Sequence, residues 1–117
     1  MFETKLGYKI VERYEDGIRT LFHGNYGTRR IEQGRWLRAE VRPRAKDGTS
    51  KTTYQSGFHL LPTFEDAVQY MSRFKNRLDK LVIVPVWYDV NTSWRKTHSR
   101  APVILASHVN FPVDIVM

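Results

Sequence analysis

With 117 residues, 41% hydrophobic and 13% aromatic, the chain has the size and apolar content of one folded domain spanning 1–117, which excludes a wholly disordered polypeptide. The absence of cysteine excludes disulfides, thiolate catalysis and the common structural zinc sites, and the histidines (His23, His59, His98 and His108) form no local metal pair, so neither metal nor other cofactor is expected. Nineteen Lys and Arg against twelve Asp and Glu leave a net charge of +7, no run approaches the roughly 20 apolar residues of a membrane helix, and the N-terminus has no apolar signal segment; a cytoplasmic protein without membrane contact is expected.

In chain order, GYKIVERYEDGIRTLFHG reads as a hairpin: YKIVERY alternates between two faces, Asp16-Gly17 supplies a turn, and IRTLFHG returns. After the loop NYGTRR, RWLRAEV reads as a strand and AKDGTSK as a polar turn. TTYQSGFHLL then reads as its antiparallel partner or a neighbour. Pro62 and Thr63 precede apolar residues at Phe64, Ala67, Val68, Met71, Phe74, Leu78 and Leu81, the three-and-four spacing of one helical face. Thr63 and Asp66 fit a capping box in which the hydroxyl accepts one backbone N–H and the acid another, so the spacing predicts a helix over about 64–79.

LVIVPVWYDV is a nearly continuous apolar run, which reads as a strand covered on both faces. Pro85 within it must face an unpaired edge or a bulge, because it has no N–H to donate. NTSWRKTHSRAP reads as a loop before two short strands, VILASHV and PVDIV. The expected fold class is α+β, a mostly antiparallel, twisted sheet packed against one main helix.

The positive charge is concentrated. Arg29, Arg30, Arg35, Arg38, Arg42, Arg44, Lys46 and Lys51 lie in one stretch, opposed by Glu32, Glu40 and Asp47. In SWRKTHSR, Trp94 is interleaved with Arg95, Lys96, His98 and Arg100. Guanidinium forks bind phosphates bidentately and an aromatic stacks on a base, so both stretches suit nucleic acid or a host nucleoprotein; a solvated basic surface is the plain alternative. Trp36, Glu40 and His59 would gather on one hairpin, either as an imidazole oriented by a carboxylate for acid–base work or as a structural His–Glu bond under an indole. No glycines are spaced as a phosphate loop, and no serine sits in a nucleophile elbow.

The residues carry two resemblances. LFHG on an early strand, SGFHLLPTFEDAVQYM and the closing NFPVDIVM resemble the histidine–tyrosine–acid order of the ADP-ribosyltransferase superfamily. That resemblance implies an NAD-dependent mono-ADP-ribosyltransferase modifying a host target. His23 and Gly24 would bind the ribose, Tyr70 would stack on nicotinamide, and Asp114 or Asp89 would stabilise the oxocarbenium-like centre. Tyr70 also lies near the apolar stripe of the helix, where a half-buried core tyrosine belongs.

The second covers Tyr8, Lys9, Leu21, Phe22, Gly34, Trp36, Leu37, Ala39, Glu40, Gly57, Phe58 and His59. Their order is similar to that of small uncharacterised proteins of tailed bacteriophages. It implies a viral accessory protein in the host cytoplasm, without implying chemistry. Interference with a host defence, in the manner of an anti-CRISPR protein, or with host gene expression would be the corresponding role.

Overall fold

The chain's computed structural model describes residues 3–15, 17–20, 31–39, 45–46, 53–54, 57–74, 80–96 and 99–113. The strands are β1 (Thr4–Tyr14), β2 (Gly17–Thr20), β3 (Trp36–Arg38), β4 (Ala45–Lys46), β5 (Thr53–Tyr54), β6 (Phe58–Leu60), β7 (Leu81–Asp89), β8 (Ser93–Arg95), β9 (Ile104–Ala106) and β10 (His108–Asn110). Among the described residues one α-helix, α1 (Phe64–Met71), lies between β6 and β7, and a 3-10 turn, Val90–Thr92, links β7 to β8. All strand pairing among the described residues is antiparallel, and the sheet curls against the helix, as the α+β reading expects. No helix among the described residues is long and apolar enough to cross a membrane.

The N-terminal hairpin forms, with Tyr14 opposite Gly17. Gly17 takes a φ of 136°, a region that side-chain-bearing residues avoid. The other edge of β1 pairs with β7 along its length, from Thr4 opposite Asp89 to Glu12 opposite Leu81. Beyond β7 come β10 and β3, in the order β2-β1-β7-β10-β3. The expected pairing of the RWLRAEV and SGFHLL segments is not what forms. β3 pairs with β10, whereas β6 pairs with β9 in a second sheet ordered β6-β9-β8. Ala45 and Lys46 of the AKDGTSK segment form β4 and pair with β5 in a short ladder of their own.

Two features join the sheets. β7 runs on into β8 through the 3-10 turn, and β9 into β10 through Ser107 alone. On the far edge of β1, Tyr8 and Leu61 exchange backbone bonds, Tyr8 N–H to Leu61 O at 2.9 Å and Leu61 N–H to Tyr8 O at 2.7 Å. Because both polar groups of Tyr8 point toward Leu61, the Tyr8–Pro85 pair on the β7 side exchanges no hydrogen bonds, and the Pro85 nitrogen faces away from β1. There β10 has already ended, since it pairs with β7 only at Trp87 and Tyr88. Pro85 therefore meets an unpaired edge, as its missing N–H requires.

The concave side holds the main core, including Val11, Ile18, Phe58, Leu60, Val84, Val86, Val109 and Phe111. The convex side carries a second cluster beneath α1, built on Ile10, Leu61, Ala67, Leu81, Val103 and Leu105. Thr63 caps α1 by accepting the Asp66 N–H at 3.1 Å. Its hydroxyl donates to Asp66 Oδ2 at 2.8 Å, so the acid closes the box on the hydroxyl instead of on a backbone N–H. The helix is shorter than expected: it ends at Met71 and tightens through Arg73 N–H to Tyr70 O and Phe74 N–H to Met71 O. Its buried face is also rotated from the predicted stripe. Ala67 is fully buried, with Tyr70, Met71 and Phe74 beside it, while Phe64 and Val68 are 54% and 44% exposed. Phe64 keeps an edge-on contact with Tyr8, 6.0 Å between ring centroids.

Urea unfolding tests this assignment of faces: Leu60→Ala is predicted to cost about 2–5 kcal/mol. Val68→Ala should stay within about 0.5 kcal/mol. Comparable losses at both positions would place the helix face wrongly.

Candidate functional site

The convex face of the five-stranded sheet follows from strand alternation. On β7, Val84, Val86 and Tyr88 enter the core, so Trp87 points outward and is 43% exposed. On β10, Val109 points in and Asn110 out; on β3, Leu37 points in and Trp36 out. Direct pairing of Leu6 with Trp87, Trp87 with Asn110, and Asn110 with Trp36 aligns these residues in one row across four strands. The next row holds His108 opposite Arg38.

Within this row Trp87 is exposed and Leu6, Asn110 and Trp36 are half-buried, and the helix is too short to reach it. Eight helical residues extend roughly 12 Å. The nine residues of β7 extend roughly 30 Å. The helix covers the Leu81–Ile83 end and leaves Trp87 bare, so the expectation of a strand covered on both faces holds for only part of β7.

Two local contacts deliver Trp36 to this face. Gly34, at a φ of 83°, donates its N–H to Phe111 O at 2.7 Å, and Gln33 Nε2 donates to Pro112 O at 3.0 Å, so the turn before β3 is pinned beyond the end of β10. At the other row, His108 Nδ1 lies 2.8 Å from Ser107 Oγ and 3.4 Å from Thr92 Oγ1.

The expected basic residues divide. Arg38 is exposed on the face just described, and Arg95 and Arg100 are exposed near β8 and β9. Arg35 pairs with Glu32 at 3.0 Å on the surface. Lys96 is half-buried, with its backbone N–H on Val103 O at 3.0 Å. Trp94 is half-buried against the cluster beneath α1, opposite Leu105, so it serves packing and Trp87 is the open indole. Arg29, Arg30, Arg42 and Arg44 lie outside the described residues, as do His23, Gly24, Glu40 and Asp114.

Trp36 and His59 are not brought onto one hairpin. Trp36 pairs with Asn110 in one sheet and His59 with Leu105 in the other. His59 contributes its carbonyl, which accepts from Lys9 Nζ at 3.1 Å. Asp89 is 2% exposed, and both its oxygens hold the 3-10 turn, accepting from Asn91 N–H at 3.2 Å and Thr92 Oγ1 at 2.9 Å. Tyr70 packs in the helix cluster, 5.8 Å from the Phe74 ring and 5.0 Å from the Arg73 guanidinium. The cavity it shares with Lys9, His59 and Leu61 measures about 20 Å³, room for one water and not for a nicotinamide ring.

Sequence reading missed Lys9, which alternation places inside the curled sheet. It is 6% exposed, and its ammonium lies 5.9 Å from the Phe58 ring centroid. Burial lowers its pKa from 10.5 to about 8. Comparison of the chain with protein-family models, curated proteins and solved structures returns no match in any of the three.

Lys9 gives a pH prediction. Between about 8 and 10.5 the unfolded chain holds the proton that the folded chain has lost, so stability rises with pH in that window. At about 1.4 kcal/mol per unit, the full gain is about 3 kcal/mol. Lys9→Met should stabilise the protein near pH 7 and lose this rise relative to wild type, measured by urea unfolding at several pH values. Parallel pH profiles for the two proteins would refute the shift.

Proposed function

We propose that the chain is a small phage-type accessory protein that binds nucleic acid, free or within a host nucleoprotein, and so obstructs a host defence or gene-expression complex. The observation that carries the binding is the distribution of charge on a +7 chain. Arg38, Arg95 and Arg100 are exposed; among the described acids Asp66 and Asp89 are engaged in caps and Glu32 bonds to Arg35, while Glu3, Glu15 and Glu65 are exposed. Exposed guanidinium groups on a chain with this excess of positive charge attract polyanions over about a Debye length. The viral setting and the role in host interference are supported by the sequence resemblance alone.

Phosphate neutralisation releases counterions, so the affinity should fall with salt. With about three phosphate contacts, log K should fall against log salt with a slope of about −2 to −3. Fluorescence anisotropy with labelled DNA and RNA at about 50 to 200 mM salt measures it. Absence of binding to every nucleic acid at the lowest salt would sink the reading.

A further inference from the structure

We propose that the row Trp36–Asn110–Trp87 on the convex sheet face is a stacking platform for the bases of single-stranded nucleic acid, with Arg38 and His108 lining its phosphate side; this rests on the nucleic-acid reading above. The pairing register sets the geometry. Adjacent strands are about 4.8 Å apart, so the two indoles, separated by β10, stand on backbones roughly 10 Å apart. Asn110 lies between them and brings an amide, a donor and an acceptor, to the level at which the edge of a bound base would lie.

Trp87 leaves 43% of its surface in solvent, and Leu6 extends the apolar floor beside it. An indole face stacks on any base, which gives affinity with little sequence preference. Arg38 and His108 sit one row away, on the same convex face. An extended strand laid across β3, β10 and β7 therefore keeps its bases over the tryptophans and its phosphates beside the Arg38 guanidinium. A duplex meets this surface poorly, because its bases stack on one another and offer only their edges to a protein. The exposed Arg38 guanidinium on this face, on a chain of net charge +7, favours a polyanion as its occupant.

The experiment uses the full chain and fluorescein-labelled 12-nucleotide single-stranded DNA, the same sequence as RNA, and the corresponding DNA duplex, followed by anisotropy. Single strands are expected to bind about tenfold or more tightly than the duplex. Trp87→Ala should lose about tenfold in affinity for single strands with an unchanged salt slope, because a stack and no phosphate contact is removed. Trp87→Phe should recover part of that loss, and circular dichroism reports whether either variant folds. Arg38→Ala should make the salt slope shallower by about 1. Equal binding of single strands and duplex, or an unaffected Trp87→Ala, overturns the platform while leaving nucleic-acid binding in place. No binding of any of the three overturns both.

Discussion

The exchange of backbone bonds between Tyr8 and Leu61 organises the rest of the molecule. β1 has β7 along one edge, but its other edge is shared: Leu61 takes it at Tyr8, and β2 takes it from Val11 onward. That bridge joins the second sheet to the first and so gives the curled sheet an inside. The same bridge turns the polar groups of Tyr8 away from β7, which makes Pro85 harmless in a long strand. It also fixes which face of β1 is interior, because alternation counted from Tyr8 sends Lys9 and Val11 inward and Ile10 toward the helix.

Lys9 is the cost of this arrangement. Its ammonium lies in the seam between β1 and β6, bonded to the His59 carbonyl, where burial disfavours the charged form. Elsewhere polar groups are placed conservatively. Thr63 and Asp66 start the helix, and Asp89 satisfies the 3-10 turn that carries β7 into the second sheet. Asp66 and Asp89 are thus structural, whereas Glu3, Glu15 and Glu65 share the exposed surface with Arg38, Arg95 and Arg100.

The open face is a consequence of unequal lengths. A helix of two turns cannot cover strands as long as β1 and β7, so α1 does not reach the end of the sheet bearing Trp87, Asn110 and Trp36, and Trp87 is exposed there. Had α1 continued to position 79, its extra turns would have had about twice the reach. The tightening at Arg73 and Phe74 is thus as relevant to the proposed interface as the tryptophans themselves.

Much of the local structure was legible in the sequence, since it depends on neighbours in the chain. The Thr63 cap, the hairpin that turns before Gly17 and the edge required by Pro85 are each set by a few residues and their φ or hydrogen-bonding limits. The candidate site was only partly legible: Trp36 and Arg38 could be named from composition, but Trp94 and Trp87 are equally aromatic in sequence and differ only in what lies over them. The apolar run of β7 could not reveal which face a helix would cover or where that helix would stop. Strand partners were likewise undetermined, because Trp36 and His59 both sit in apolar alternating segments, and alternation specifies faces without specifying neighbours. The sequence by itself determined the α+β class, the helix start and the basic character of the chain. Tertiary structure alone decided that Lys9 is interior, that Asp89 and Tyr70 are structural, and that Trp87 is open, because each depends on long-range pairing and on the reach of one short helix.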